Sequence, residues 1–327
     1  MTSLTTLNGA AFSLAFILST AVAWQPRVAS RDPTGPAATD PRSGPSALAA
    51  SSVRAPLIDH SGTAVPRRDY RRIASGSSVS DALLLDLCEP DRIAAFTAYS
   101  ARRSTSGFRY AGKPVIERIE DVEFILALHP DLVVVSGMGD PRPLARLRDA
   151  GIAVFDLGDM RGLSTLIPNA IEVAALVGHP DRGERLARTL VEEMNGVDVG
   201  VPRDGRRRAI YLSAIGASLF GGAAGTSYHD VLVAAGLIDA ASGYAGWPQY
   251  TTEEVLALDP DIIVTNEGMR DRLCGRSLLS SLRACRHPEA IVEMDAALLG
   301  DPGPAMVDAA REVRAAVYGP SKGAPRP

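Results

Sequence analysis

Apolar and polar positions fall into two regimes along the chain, and the change comes near residue 70. From Arg71 onward, short β-branched runs alternate with helical periods. A strand is expected at 72–74, a helix at 80–87 (SDALLLDL) with a hydroxyl and an early Asp at its start, and a second strand at 92–96. A helix at 121–128 is stopped by His129-Pro130 and followed by the apolar strand 131–135. A helix at 144–150 ends at Gly151, before a strand at 152–156. Strands alternating with helices imply a mostly parallel sheet covered on both faces. The alternation then stops. Residues 163–177 and 181–194 give two consecutive helical patterns separated by Gly178-His179-Pro180, with a charged face on the second. It resumes with a strand at 209–213, so the helical insert reads as a rigid connector between two α/β units.

Those two units echo each other. Residues 123–134 (EFILALHPDLVV) align without a gap on 253–264 (EEVLALDPDIIV), and Asp81-Ala82-Leu83-Leu84 resembles Asp230-Val231-Leu232-Val233. Long-period self-similarity marks duplicated structural units. The shared A-L-x-P-D-[LI]-[VI]-V is a helix-to-strand junction: Pro stops the helix, Asp turns the chain and the apolar run fills the sheet. That does not account for Glu123 and Glu253 at matching early helix positions. Two readings of this pair stand side by side, a favourable interaction with the helix dipole and an exposed docking feature on each unit.

Composition adds the ends. An apolar stretch over 10–23 closes in Ala21-Val22-Ala23, a small-x-small pattern that reads as a secretion signal over 1–23, although no Lys or Arg precedes it. No Cys follows until Cys88, which argues against a lipid-anchored cysteine. Residues 24–69, rich in Pro, Ser and Ala and carrying six Arg and four Asp, are expected to be a disordered tether. The expected organisation is then an N-terminal α/β lobe at 70–160, connecting helices at 161–196, a C-terminal α/β lobe at 197–319 and a disordered tail at 320–327. The net charge of −4 gives no general attraction to nucleic acid or anionic membrane, and no later segment has the roughly 20 apolar residues that span a bilayer. Cys274 and Cys285 are close enough to bridge in an oxidising compartment or to stay apart, and Cys88 is expected buried on a helix.

Catalytic and metal motifs are hard to find. Gly216-Ala217-Ser218-Leu219-Phe220 falls short of G-x-S-x-G, and the glycines at 221, 222 and 225 lack the spacing of a dinucleotide or phosphate loop. The histidines at 60, 129, 179, 229 and 287 form no H-x-x-x-H, and three of them precede Pro. An enzyme is therefore not expected, nor a resident metal or other intrinsic cofactor. Aromatics are only 5% of residues, yet Tyr99, Phe220 and Trp247 fall at expected loop tips, where they would make a ligand site; packing in the core is the other reading for Phe220 and Trp247.

The paired Glu-led A-L-x-P-D repeats, the intervening helices and Gly246-Trp247-Pro248 resemble the ABC-importer binding proteins for cobalamin, haem and ferric siderophores, over residues 71–318. The resemblance implies an α/β fold of two Rossmann-like lobes with parallel sheets joined by a rigid backbone helix, closing little on binding. It implies a monomeric periplasmic protein that binds a corrinoid or iron chelate in the inter-lobe cleft. It also implies docking to the permease transmembrane subunits through Glu123 and Glu253. Phe220, Trp247 and Asp295 match the cobalamin-binding members, whereas residues 106–110, with Arg109 and Tyr110, and Leu299 depart from them. The readings set against a carrier are an α/β cofactor-binding or enzyme subunit of the same duplicated fold, and a periplasmic sensor or interaction protein without transport.

Overall fold

The first lobe is built on one short, fully buried strand. In the computed structural model, which describes residues 55–102, 107–137 and 140–319, β3 (Ile73–Ser75) lies at the centre of a five-stranded sheet. Its neighbours are β4 (Ile93–Thr97), β5 (Val115–Ile116), β6 (Leu132–Val135) and β7 (Ala153–Asp156), in the order β5-β4-β3-β6-β7. Every pairing is parallel, so every side chain of β3 and β6 is buried. Helices α1 (Ser78–Leu87), α2 (Ala98–Ala101), α3 (Val122–Ala127) and α4 (Arg142–Asp149) connect the strands. Within the lobe this is the doubly wound order 3-2-1-4-5, which places ligand sites beyond the carboxyl ends of the strands.

A short hairpin, β1 (Leu57–Ile58) with β2 (Ala64–Val65), straps onto this lobe. It corrects the expectation of a tether running to residue 69. Asp59 is buried; its carboxylate accepts from Thr63 N at 2.8 Å and Asp156 N at 3.2 Å, and pairs with Arg148 at 3.2 Å. Composition hid this, because one satisfied buried carboxylate and the fully buried Tyr70 anchor a stretch that is otherwise small and polar. The signal segment 1–23, residues 24–54 of the expected tether and the tail 320–327 lie outside the described residues.

Helices α5 (Leu163–Leu176) and α6 (Pro180–Gly196) follow as a packed pair. A Cβ on Gly183 would stand 2.5 Å from Ala174 Cβ and 2.9 Å from Ala170 O, so the small residues set how closely the two axes approach. α6 reaches from one lobe to the other. Near its start, Arg182 pairs with Glu89 at 2.9 Å beside α1. Near its end, Glu193 pairs with Arg311 at 3.5 Å on α12 (Met306–Tyr318). Desolvation works against the Glu89 charge, yet hydrogen bonds from His179 and Arg92 hold its carboxyl down at about 2.

The second lobe repeats the first with an insertion. Its strands are β8 (Arg208–Ile215), β9 (Ser218–Gly222), β10 (Ile238–Asp239), β11 (Gln249–Tyr250), β12 (Ile262–Asn266) and β13 (Ile291–Met294), in the order β11-β9-β8-β12-β13 with β10 beside the start of β8. Its helices are α7 (Ser227–Ala234), α8 (Thr252–Leu258), α9 (Arg270–Cys274), α10 (Arg283–Arg286) and α11 (Ala296–Leu299), ahead of α12. The sheet is mixed rather than wholly parallel, since β9 runs antiparallel to both β8 and β11. Phe220 therefore lies on a strand and not in a glycine-rich loop. Gly221 and Gly222 belong to the strand because rings lie over them: an added Cβ would stand 2.3 Å from Tyr250 Cε2 and 2.2 Å from Tyr228 Cδ2, respectively. Cys274 and Cys285 are joined by a disulfide, and Cys88 is buried at the end of α1.

The repeated junction has a physical meaning. In each lobe the Asp of Pro-Asp holds the start of the first strand. Asp131 accepts from Arg71 N and Arg72 N at 2.7 and 3.0 Å, and Asp261 accepts from Arg208 N at 3.0 Å. The Arg at that strand start returns the favour to the helix end, Arg72 donating to Leu128 O at 2.7 Å and Arg208 to Leu258 O at 3.1 Å. The variable residue between Leu and Pro, His129 or Asp259, is left-handed in both, at φ 50° and 37°.

Candidate functional site

Where the two lobes face each other they enclose a cavity of about 470 Å³. The first lobe contributes the segment after each of four parallel strands: Val79 after β3, Tyr99 after β4, Ser136 after β6 and Met160 after β7. Across the gap lie Tyr228 of α7, Trp247 ahead of β11 and Pro302 beyond α11. All described residues belong to one compact unit.

The repeat shapes both walls. α1 begins Ser77-Ser78-Val79 and α7 begins Thr226-Ser227-Tyr228, with the first residue of each as N-cap and the next two lining the cavity. Helix N-termini thus approach it from both sides, with their free backbone N–H groups. Four residues beyond each N-cap, Asp81 and Asp230 occupy equivalent turns with different partners. Asp81 is fully buried and accepts from Thr97 N at 3.1 Å and from the Thr97 hydroxyl, tying α1 to the end of β4. Burial pushes its carboxyl up to about 6, against hydrogen bonds from Ser100, Ser75 and Thr97 that lower it. Asp230 accepts from Leu163 N at 2.8 Å, tying α7 to the start of α5. Burial also raises its carboxyl, against that hydrogen bond.

Two of the residues expected in the cleft meet in this cavity. Tyr99 and Trp247 face it from opposite lobes and are 45% and 47% exposed, large apolar surfaces left uncovered by the protein itself. The Tyr99 hydroxyl donates to Ala297 O at 3.1 Å, bridging the lobes, and the Arg161 guanidinium stands 5.7 Å from the Trp247 ring centroid. Arg109 and Tyr110 line a neighbouring space of about 260 Å³ that shares Ser78 with the first. Arg109 is paired with Asp86 at 2.9 Å, and Tyr110 is buried edge-on against Phe96. Phe220 and Asp295 line neither space. Phe220 is half-buried on β9, and the Asp295 carboxylate caps α11 by accepting from Ala297 N at 2.6 Å and Leu298 N at 3.2 Å.

Sequence reasoning passed over Met160 and Ser136, and met Tyr228 only beside His229 at a helix start, where Tyr or His stood as an alternative haem ligand. Tyr228 lies flat on Tyr211, with ring centroids 3.7 Å apart and planes 8° apart. Burial, with Tyr211 and Tyr99 adding to it, pushes the Tyr228 phenol upward. The echo between Asp81 and Asp230 carried the signal for Tyr228, since stepping back two residues from each Asp gives Val79 and Tyr228.

Glu123 and Glu253 are both exposed, each the second residue of its helix, behind the N-caps Asp121 and Thr251. The N-cap of α3 is Asp121, and the capping box at α8 uses Glu254, the neighbour of Glu253. Glu123 is paired with Arg146; the hydrogen bond from that guanidinium holds its carboxyl low. Glu253 has no ion-pair partner among the described residues. No group of three or more His, Cys, Asp and Glu among the described residues is placed to hold a metal ion, and no described helix is long and apolar enough to cross a membrane.

Known proteins share this architecture. Residues 73–314 match the family model described as periplasmic binding protein. The chain is 22% identical over 214 residues to the uncharacterized ABC transporter substrate-binding lipoprotein YvrC of Bacillus subtilis, an alignment covering 62% of this chain and 68% of the relative. It is 29% identical over 161 residues to the vitamin B12-binding protein of Salmonella typhi, covering 46% of this chain and 60% of that one. Among solved structures, a possible iron-binding periplasmic protein of Staphylococcus epidermidis superposes with a TM-score of 0.67 at 16% identity, covering 77% of this chain and 100% of the other. The periplasmic heme-binding protein RhuT of Roseiflexus sp. RS-1 gives 0.62 at 24% identity, covering 76% and 98%. A duplicated α/β fold, two lobes spanned by a long helix and a cavity between them accompany a family match over most of the chain: this protein belongs to the periplasmic binding protein family.

Proposed function

We propose that this protein is the ligand-binding subunit of an ABC importer and carries a corrinoid, haem-type or ferric-chelate ligand in the cleft between its lobes. One observation carries the reading: Tyr99 and Trp247, on opposite lobes and each nearly half exposed, line one shared cavity. Aromatic faces opposed across a gap suit a broad ligand with ring or apolar faces, and both helix N-termini add backbone donors for its periphery. The relatives named for vitamin B12 and heme bind ligands of that breadth. Phe220, Asp295, Arg109 and Tyr110 do not line this cavity, and the reading does not rest on them.

Glu123 and Glu253 are proposed as the permease contacts, one per lobe. Their exposure and their matched helix positions support this, with the capping box at α8 falling to Glu254 and not to Glu253. Two carboxylates so placed would set the register on a two-fold permease and steer the approach. Arg146 must release Glu123 for this to happen, so the first lobe docks at a small electrostatic cost that the second lobe does not carry.

The test is titration of the Trp24→Phe protein, in which Trp247 is the sole tryptophan, with cyanocobalamin, haemin and a ferric tris-hydroxamate. Heat and Trp247 fluorescence are followed together. Saturable 1:1 binding of one of them, weakened about fivefold or more by Trp247→Ala, is expected from a stacking contribution of about 1–3 kcal/mol. If none of the three binds, the reading fails.

A further inference from the structure

The strap formed by β1 and β2 meets the end of β7 on both backbone groups of one residue. His60 N donates to Asp156 O at 3.0 Å, and Asp156 N donates to the Asp59 carboxylate at 3.2 Å. Asp59 is itself fixed: it is buried and accepts from Thr63 N, the Ser61 hydroxyl and Arg148. After Asp156 the chain turns through residues 157–162 into α5. Gly158 stands in this turn at φ 71°, and a Cβ on it would lie 2.2 Å from the His60 Cγ. The imidazole therefore rests against bare glycine backbone, on the outer side of the turn.

The inner side of the same turn is cleft wall. Asp159 and Met160 line the cavity, and the Arg161 guanidinium stands 5.7 Å from the ring centroid of Trp247 in the second lobe. Arg161 is aimed by its neighbours: its Nε donates to Asp159 at 2.8 Å, and its backbone N donates to the Thr165 hydroxyl at 2.9 Å. From α5, the Asn169 amide donates to Leu157 O at 2.9 Å and to the Met160 sulfur at 3.2 Å. The turn is clamped between α5 and the strap. A shift at Gly158 is carried within three residues to the cation over Trp247.

We infer that the strap is a positioning element for the cleft, with the His60 ring setting the turn 157–162 and, through it, the contact of Arg161 with Trp247. His60 does not line the cavity and is exposed, so removing its ring opens no void in the core. It acts on the cleft only through the turn it supports.

The test compares His60→Ala, His60→Phe and Arg161→Ala, all in the Trp24→Phe protein, where Trp247 is the sole tryptophan. Both His60 variants keep the backbone bond to Asp156 and the Asp59 network. Acrylamide quenching of Trp247 is measured without ligand, beside denaturant unfolding. Affinity is measured for whichever of cyanocobalamin, haemin and a ferric tris-hydroxamate binds. Arg161→Ala is expected to raise the quenching constant, and His60→Ala to reproduce about half or more of that rise. His60→Phe is expected to match the parent, because a ring again backs Gly158. Affinity should fall about threefold or more in His60→Ala and be restored in His60→Phe. Quenching in His60→Ala equal to the parent's overturns the inference, whether or not unfolding stability falls. Equal affinity of a bound probe for His60→Ala and the parent overturns it too, as does a His60→Phe protein that behaves like His60→Ala. Unchanged quenching in Arg161→Ala does the same, since the turn would then carry no contact to Trp247. The affinity measurement rests on the carrier reading; if no probe binds, that reading fails and the quenching still decides this one.

Discussion

Gly222 and Tyr228 set the floor of the cleft together. The glycine has no side chain where the tyrosine ring lies, and the ring is thereby free to lie flat on Tyr211 and face the cavity. Gly222→Ala puts a methyl 2.2 Å from that ring. Overpacking of this kind costs about 1–3 kcal/mol, so denaturant unfolding should show a loss in that range, with ligand affinity falling as Tyr228 moves. A variant as stable as the parent would contradict the packing described. Asp81 gives a second prediction at this scale. Its folded-state carboxyl is raised to about 6, so the folded protein holds a proton that the unfolded chain releases near pH 4. The stabilisation is complete below about pH 4 and is lost as pH rises through about 6. Stability relative to Asp81→Asn should therefore decline between pH 4 and 7, by an amount on the order of 2–3 kcal/mol; a flat difference would show that Asp81 ionises normally. At this scale the sequence was only partly legible. Trp247 and Tyr99 could be placed from loop position, whereas Phe220 could not, because glycines read as loop when the ring that covers them lies elsewhere in the chain.

The helix-to-strand junction is the element that the sequence disclosed best, because it is local and occurs twice. Its apolar letters, its Pro and its Asp all have structural work, and the hydrogen bonds of Asp131 and Asp261 account for the Asp in full. Removing either carboxylate leaves strand-start N–H groups without their acceptor. Asp131→Ala and Asp261→Ala should each cost about 1–2 kcal/mol, and their effects should add in the double variant because they sit in separate lobes. Strong non-additivity would mean that the two junctions are energetically coupled, against the independence described. The disulfide between α9 and α10 closes a loop of 11 residues in sequence separation. Chain entropy gives such a loop about 3 kcal/mol, so Cys274→Ser with Cys285→Ser should lower stability by about that much. The pairing lies away from the residues lining the cleft, and ligand affinity should be unchanged. Mixed strand direction was invisible in the pattern: β9 arises from a two-residue turn at Gly216-Ala217, and Gly216 takes φ 57° there. The strap at 57–65 was missed for a similar reason, since it is held by Asp59 and not by a hydrophobic period.

For the whole molecule, two lobes were legible because a duplication writes the same letters twice, and the family match rests on that same stretch. What the sequence could not convey is how the lobes meet. Tyr99 to Ala297 and Arg161 over Trp247 are contacts between positions distant in the chain, and no periodicity encodes them. The proposed transport role belongs to this scale as well. Charge reversal at both docking positions, Glu123→Lys with Glu253→Lys, should leave ligand affinity within about twofold and abolish uptake through the permease, since the proposed contacts require a negative charge on each lobe. Uptake that survives the double reversal would turn the reading toward a sensor or interaction protein. The most direct measurement is native mass spectrometry of the protein purified from the organism that encodes it, beside its Trp247→Ala variant. A single non-covalent adduct with the mass of a metal complex, present on the parent and depleted on the variant, is the predicted result. A parent protein that carries no adduct after exposure to its own growth medium, or one whose adduct is indifferent to Trp247, would contradict a ligand carried between the lobes.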